Sequence, residues 1–246
     1  MLSPSSSSES SESVFNGSGA GTSSEPVTDE KLETILKQVQ SQLPAENGTW
    51  AVFISDLVNG TEGSLNDQKM QAASLIKLYI MGAVYENYDQ ITGQYGRDSV
   101  DSNLYSMITV SDNESHNELV KLQTDALDFK KGAELINEWL KKEGYTETTV
   151  QHTQTHMGRM LLASNENDDN YTSVGDCGHL LQEIYKQDTS GYTHAADMFN
   201  LLKAQTRCNK IPAQLPEGVK TANKTGELDN VENDAGIIYD SKNDVV

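Results

Sequence analysis

The run Gln71-Ala72-Ala73-Ser74-Leu75-Ile76-Lys77-Leu78-Tyr79-Ile80-Met81-Gly82-Ala83-Val84-Tyr85 constrains the fold of this chain more than any other stretch. Apolar residues cover nearly its whole circumference at helical spacing, the pattern of a helix buried in a core rather than one lying on a surface. Ser74 and Lys77 are the exceptions. Three residues apart on a helix, they share a face, so the amine can reach the hydroxyl. An ammonium in apolar surroundings is poorly solvated, which favours its neutral form, and a neutral Lys beside a Ser can take the hydroxyl proton and create a nucleophile. Against this stands a plainer outcome, in which Lys77 extends to water and Ser74 merely opens the helix. The spacing alone does not separate the two, because a chain this rich in Ser and Lys is expected to hold one such match by chance.

With 246 residues, 36% apolar content, ten Tyr and two Trp, the chain can build one sizeable domain or two small ones. Its 18 basic and 37 acidic residues leave a net charge of −19. That charge repels phosphate backbones and anionic membrane surfaces and argues against nucleic acid as a partner. No apolar run approaches the length of a membrane span, and the first residues carry neither a basic nor an apolar segment, so no span and no signal peptide is read. Residues 1–27 lack apolar periodicity and are expected to form a flexible Ser/Glu-rich linker, which suggests an anchoring or export segment upstream, with a real start at Met1 as the simpler alternative. The folded domain is expected over residues 28–246. Cys177 and Cys208 allow one disulfide but no cysteine framework and no cysteine-based zinc site. A bridge and two structural thiols both stay open.

Along the chain, Thr28 is expected to cap a helix whose apolar stripe is Leu32, Ile35, Leu36, Val39 and Leu43, ending near Pro44. Trp50 to Val58 reads as a strand, and Asn59-Gly60 turns it toward a second strand near Gly63 to Asn66. The Ser74 helix follows. Helical pieces are expected near Leu104–Met107, Asn117–Thr124 and Gly132–Lys142, within a helical pattern reaching Ala163. A loop covers Asn165–Asn170, and helices follow over Ser173–Lys186 and Ala195–Lys203. After Pro212 and Pro216 the chain returns to strands, Val219–Leu228 and Ala235–Tyr239. Strands from both ends of the chain around a helical middle indicate an α+β layout.

Two further motifs bear on Ser74. Ser111-Asp112-Asn113 sits in a polar break before a helix, and Lys224-Thr225-Gly226 lies within a strand. Each is expected well under once by chance, and their order after the SxxK is the one a serine acyl-transfer enzyme of one known type requires. Such a site needs a second hydroxyl to hand a proton to the leaving nitrogen (Ser111) and an amide to hold the substrate's amide (Asn113). It also needs a cation and hydroxyl for a substrate carboxylate (Lys224, Thr225), and a Gly so that the ligand can lie against the strand edge (Gly226).

The set Ser74-Leu75-Ile76-Lys77, Ser111-Asp112-Asn113 and Lys224-Thr225-Gly226 resembles the class A β-lactamase and penicillin-binding-protein superfamily, and the resemblance runs from Thr28 onward. It implies a helical subdomain beside an antiparallel five-stranded sheet flanked by helices, with the site in the cleft between them. Ser74 is then the nucleophile, Lys77 the acylation base and Ser111 the proton shuttle. The backbone N–H groups of Ser74 and Glu227 form the oxyanion hole. The implied substrate is a β-lactam or a D-alanyl peptide of the cell wall, handled outside the cytoplasmic membrane by a monomer. No metal and no organic cofactor is implied.

Departures from the family pattern carry as much information. Class A β-lactamases use a Glu in a long loop to activate the water that breaks the acyl-serine bond, and laying Thr149-Val150-Gln151-His152-Thr153-Gln154 over that loop puts Gln154 at the position. An amide cannot accept a proton as a carboxylate does, so acylation with slow deacylation is the expectation. Glu166, six residues before Thr172, stands too close to the next helix and is read as a solvated loop acid. The short Ser74–Ser111 interval implies a trimmed helical subdomain and an open cleft. The family's last strand and final helix are expected to be missing after Asp244-Val245-Val246, which would leave unpaired strand edges, so a fragment of a longer gene product or a chain unstable alone is expected.

Weaker signals are read as structural. His152 and His156 have a metal-compatible spacing, but their Thr-rich setting makes a solvated loop the expectation. Asn165, Asn167, Asp169, Ser173 and Asp176 partly mimic a calcium loop, in which Asn170 replaces the Gly needed for the turn. His116 could touch substrate, although a helix-surface position is the commoner outcome.

Overall fold

The computed structural model describes residues 30–44, 46, 48–154, 169–186 and 194–240. Helix α1 (Glu30–Gln42) lies on a hairpin of β1 (Val52–Asp56) and β2 (Thr61–Leu65). The hairpin turn is set by Asp56, whose carboxylate accepts the N–H groups of Val58 and Asn59, and by Gly60 at φ 70°, where a side chain would be strained. A second hairpin, β5 (Lys220–Leu228) and β6 (Val231–Tyr239), pairs Gly226 with Asn233 and Lys224 with Ala235. A short ladder of β3 (Met70–Gln71) and β4 (Tyr171–Thr172) ties the segment before Ser74 to the far side of the helical region.

The helices are α2 (Ile76–Glu86), α3 (Tyr88–Tyr95), α4 (Arg97–Thr109), α5 (Asn113–Lys121), α6 (Phe129–Glu143), α7 (Val174–Lys186) and α8 (Ala195–Lys203). Every residue of α2 from Ile76 to Tyr85 is buried, and α3, α4, α5, α6 and α7 all pack around it. A helix without a polar face can only be central. Its neighbours are amphipathic and are stopped by local chemistry. In α6, Asp128 accepts the Lys131 N–H at the start and Gly144 takes the left-handed conformation at the end, while Phe129, Ala133, Ile136, Trp139 and Leu140 turn inward.

The α+β layout is the one expected, with helix-rich packing around small antiparallel sheets. Among the described residues the two long hairpins are not hydrogen-bonded to each other, and α7 packs on β1 of one and β6 of the other. Thr28 and residues 1–27, like Asp244 to Val246 where a further strand would start, fall outside the described residues. Boundaries shift in places. The last strand begins at Val231 rather than Ala235, and α3 with the first turns of α4 fills a stretch in which no helix is expected.

Close approach explains one glycine. A Cβ on Gly132 would lie 2.0 Å from the Val120 carbonyl oxygen, so α5 and α6 touch through backbone there. Gly132→Ala is expected to cost about 1–3 kcal/mol or more as the helices are forced apart, read as a lowered melting midpoint. An unchanged midpoint would show that this contact is loose.

Candidate functional site

Ser74 does not sit on a regular helix. Ala73–Leu75 form a 3₁₀ turn, and Ala73 takes φ 46°, a left-handed conformation uncommon for a residue with a side chain. This corrects the continuous Gln71–Tyr85 helix, since α2 proper begins at Ile76. The turn is held at three points. Ala72 N–H donates to Asn170 O at 2.8 Å, Leu75 N–H to Ala72 O at 3.0 Å, and the Asn233 amide to Gln71 O at 2.9 Å and Ala72 O at 3.1 Å. Such cross-ties are what a strained backbone needs to persist.

Lys77 does not extend to water. It is 0% exposed, and its Nζ donates to Ser74 Oγ at 3.0 Å, Ser111 O at 2.7 Å, Ser111 Oγ at 3.2 Å and Asn113 Oδ1 at 2.6 Å. Burial is the main force drawing its pKa down to about 7. Asp112 opposes the shift and Arg207 adds to it. Asn113 is the first residue of α5, and Ser111 lies in the three-residue link between α4 and α5. There Ser111 adopts φ 62°, and Asp112 caps α5 by accepting the Ser115 N–H at 2.7 Å.

The strand β5 closes the other side. Lys224 is 0% exposed, and its Nζ donates to Ser111 Oγ at 2.8 Å and Thr225 O at 2.7 Å. Burial, then the charges of Lys77 and Arg207, bring its pKa down to about 6, against the opposing pull of Asp234 and Glu227. One hydroxyl thus stands between two amines whose like charges disfavour each other. Thr225 is buried beside Lys224. A Cβ on Gly226 would fall 2.9 Å from Ala72 O and 3.1 Å from Ser74 N, so only glycine lets β5 pass this close to the nucleophile's turn. Glu227 is exposed and ion-pairs with Lys210 at 3.3 Å and Arg207 at 3.6 Å.

Gln154 reaches the same place from the opposite wall. Its N–H donates to Asn117 Oδ1 at 2.9 Å, Asn117 Nδ2 donates back to its carbonyl at 3.2 Å, and its own Nε2 donates to Ala73 O at 3.3 Å. The Asn117 pair is one feature that sequence reading missed, because an Asn within a polar helix carries no sign of a partner 37 residues away. Glu166 and His156 lie outside the described residues.

Two histidine expectations are corrected. His152 is buried rather than solvated, its Nε2 bonded to the Asp169 carboxylate at 2.5 Å. His116 is buried rather than on the helix surface, with both ring nitrogens lacking a hydrogen-bond partner among the described residues. Burial holds its pKa well below the usual value, which keeps the ring neutral. Of the calcium-like set, Asp169 is taken by His152 and Gln71, and Asp176 by Thr148 and the Glu147 N–H. Among the described residues no group of three or more His, Cys, Asp or Glu is placed to hold a metal ion, and no helix is long and apolar enough to cross a membrane. Both cysteines are free thiols, Cys177 buried and Cys208 exposed.

A serine turn at the head of a buried helix, between a helical region and an antiparallel hairpin, defines the β-lactamase-like class of α+β proteins. The model of the beta-lactamase enzyme family matches residues 31–97 and 94–246, and the chain belongs to that family. Among solved structures it is similar to PBP-A, with 23% identity, a TM-score of 0.67 and 89% of this chain and 84% of that one covered. It is likewise similar to a β-lactamase from Sphaerobacter thermophilus, with 20% identity, a TM-score of 0.61 and 77% of each chain covered. An ancestral class A β-lactamase matches with 18% identity, a TM-score of 0.65 and coverage of 84% and 85%. At these identities the likeness is one of fold. A mutant of PBP-A has been solved as an acyl-enzyme complex with penicillin G. No curated protein matches the chain.

Proposed function

We propose that the chain is an acyl-serine hydrolase acting on β-lactams or D-alanyl peptides outside the cytoplasmic membrane. The observation that carries this reading is Lys77 Nζ, 3.0 Å from Ser74 Oγ and 3.2 Å from Ser111 Oγ in a buried setting that brings its pKa to about 7. A buried amine that titrates near neutrality is a general base at working pH. In the proposed step Ser74 Oγ bonds to the substrate carbonyl carbon and the carbonyl carbon–nitrogen bond breaks. The Ser74 proton passes through Lys77 and Ser111 to the departing nitrogen. The developing oxyanion is received by the N–H groups of Ser74 and Glu227. Asn113 holds the substrate amide, Lys224 and Thr225 take its carboxylate, and Gly226 gives it room along the strand.

A second reading is favoured by Gln154. With an amide where water would be activated, the protein acts as a D,D-peptidase or a penicillin-binding sensor that holds its acyl group. The PBP-A mutant captured with penicillin G is consistent with either reading. Intact mass followed over time with a penicillin tests both. An adduct of the whole penicillin mass, absent in Ser74→Ala, is the expected result. A lasting adduct identifies a binder and a transient one a hydrolase. An adduct that survives Ser74→Ala places the nucleophile elsewhere.

A further inference from the structure

Lys210 lies in the link between α8 and β5. Its side chain is 14% exposed, and its Nζ donates to two backbone carbonyls, Gly226 O at 3.2 Å and Asn233 O at 3.1 Å. It also ion-pairs with Glu227 at 3.3 Å and Glu232 at 2.6 Å. Gly226 and Asn233 are register partners in the β5–β6 hairpin, as are Glu227 and Glu232.

That pattern fixes a direction. For one ammonium to bond the carbonyls of two register partners at once, both must point into the seam between the strands, as they do at a hydrogen-bonded antiparallel pair. The structure contains no cis peptide bond among the described residues. In a planar trans peptide the C=O and the N–H point in opposite directions. The Gly226 carbonyl is therefore held toward β6, and the Glu227 N–H on the same peptide points to the open edge of β5. Gly226 itself lies against the nucleophile's turn, where a Cβ on it would fall 3.1 Å from Ser74 N. A positive charge on the carbonyl also draws electron density through the peptide and strengthens the N–H as a donor.

We infer that Lys210 is a positioning residue for the oxyanion pocket: by clamping the Gly226 carbonyl it aims and polarises the Glu227 N–H beside Ser74. This rests on the acyl-serine reading above. The competing role for Lys210 is charge balance, since Glu227 and Glu232 face each other across the hairpin and like charges there repel. The two roles separate experimentally in the double variant Lys210→Met/Glu232→Gln, which relieves the repulsion without restoring the clamp.

The test compares wild type, Lys210→Met, Lys210→Arg, Glu232→Gln and Lys210→Met/Glu232→Gln by the rate of Ser74 acylation with a penicillin, read by intact mass. Loss of a whole oxyanion donor costs about 10²–10³ in rate, so a donor left in place but unclamped is expected to cost roughly 10–100-fold in Lys210→Met. Lys210→Arg is expected to recover most of this, and Glu232→Gln to acylate as wild type does. Penicillin affinity measured in a Ser74→Ala background should change by no more than about twofold with Lys210→Met, because the clamp serves the transition state rather than the ground state. The acyl carbonyl stretch in the trapped adduct should move to higher frequency as its hydrogen bonding weakens. If Lys210→Met loses its cooperative melt, Lys210→Gln, which keeps a donor without the charge, carries the same comparison. Equal acylation rates in wild type and Lys210→Met, an equal loss in Glu232→Gln, or a wild-type rate in Lys210→Met/Glu232→Gln would overturn the assignment while leaving the serine mechanism standing. Absence of any adduct on the wild-type chain would overturn both.

Discussion

Lys77→Met is expected to slow acylation of Ser74 by about 10³–10⁴-fold, the upper range for removing a positioned base, or roughly 4–5 kcal/mol of barrier. The methionine fills the same buried volume, so the loss belongs to the amine and not to a cavity. The wild-type rate should climb with pH, about tenfold per unit, until Lys77 loses its proton near about 7. The profile is measured at saturating penicillin, because Lys224, at about 6 in the free protein, loses its charge first and then attracts a substrate carboxylate less well. A flat profile between about pH 5 and 8 would remove Lys77 from the role of base. Stability carries the sign of the same shift. Lys77 titrates at 10.5 when unfolded and about 7 when folded, so between those values the folded chain binds fewer protons. On this account stability rises with pH across that window and is lowest, from this group, below it.

Gln154→Glu is expected to convert a lasting acyl-enzyme into a transient one, with deacylation faster by about 10²–10⁴-fold. The argument is one of position and chemistry together. The backbone of residue 154 is fixed by the reciprocal pair with Asn117, and its side chain already reaches Ala73 O on the nucleophile's own turn. What it lacks is an atom that can take a proton from water. A carboxylate on the same scaffold supplies one, while the acylation machinery of Lys77 and Ser111 is untouched. Adduct formation should therefore proceed at its former rate and adduct decay should accelerate, both read from one mass-against-time series. An unchanged adduct lifetime would mean that no water stands where this residue could activate it.

Much of the cleft was legible because its chemistry is carried by rare short patterns on recognisable elements. The amine and hydroxyl of the all-apolar run met as their spacing required, and the two later motifs converged on them in chain order. What escaped was set by distant parts of the chain. The break at Ala73 is invisible within an apolar run, because the forces that bend it come from Asn170 and Asn233. His152 looks solvated among its threonines until Asp169 closes on it. Tyr88–Tyr95 is polar over most of its surface and buries only Tyr88 and Ile91, too little periodicity to announce a helix. The sequence places Lys210 ahead of the last strands and says nothing of its contacts. Only the hairpin register shows which carbonyls it grips.

The shared hydroxyl of Ser111 has a thermodynamic corollary. Two amines that both donate to one oxygen, each drawn below its solution basicity chiefly by burial, leave the cleft short of protons near neutrality. An anionic guest restores what is missing, because its negative charge makes Lys224 basic again. Guest and hydrogen ion are then taken up as a pair, and acidity of the surroundings becomes a co-ligand of the site.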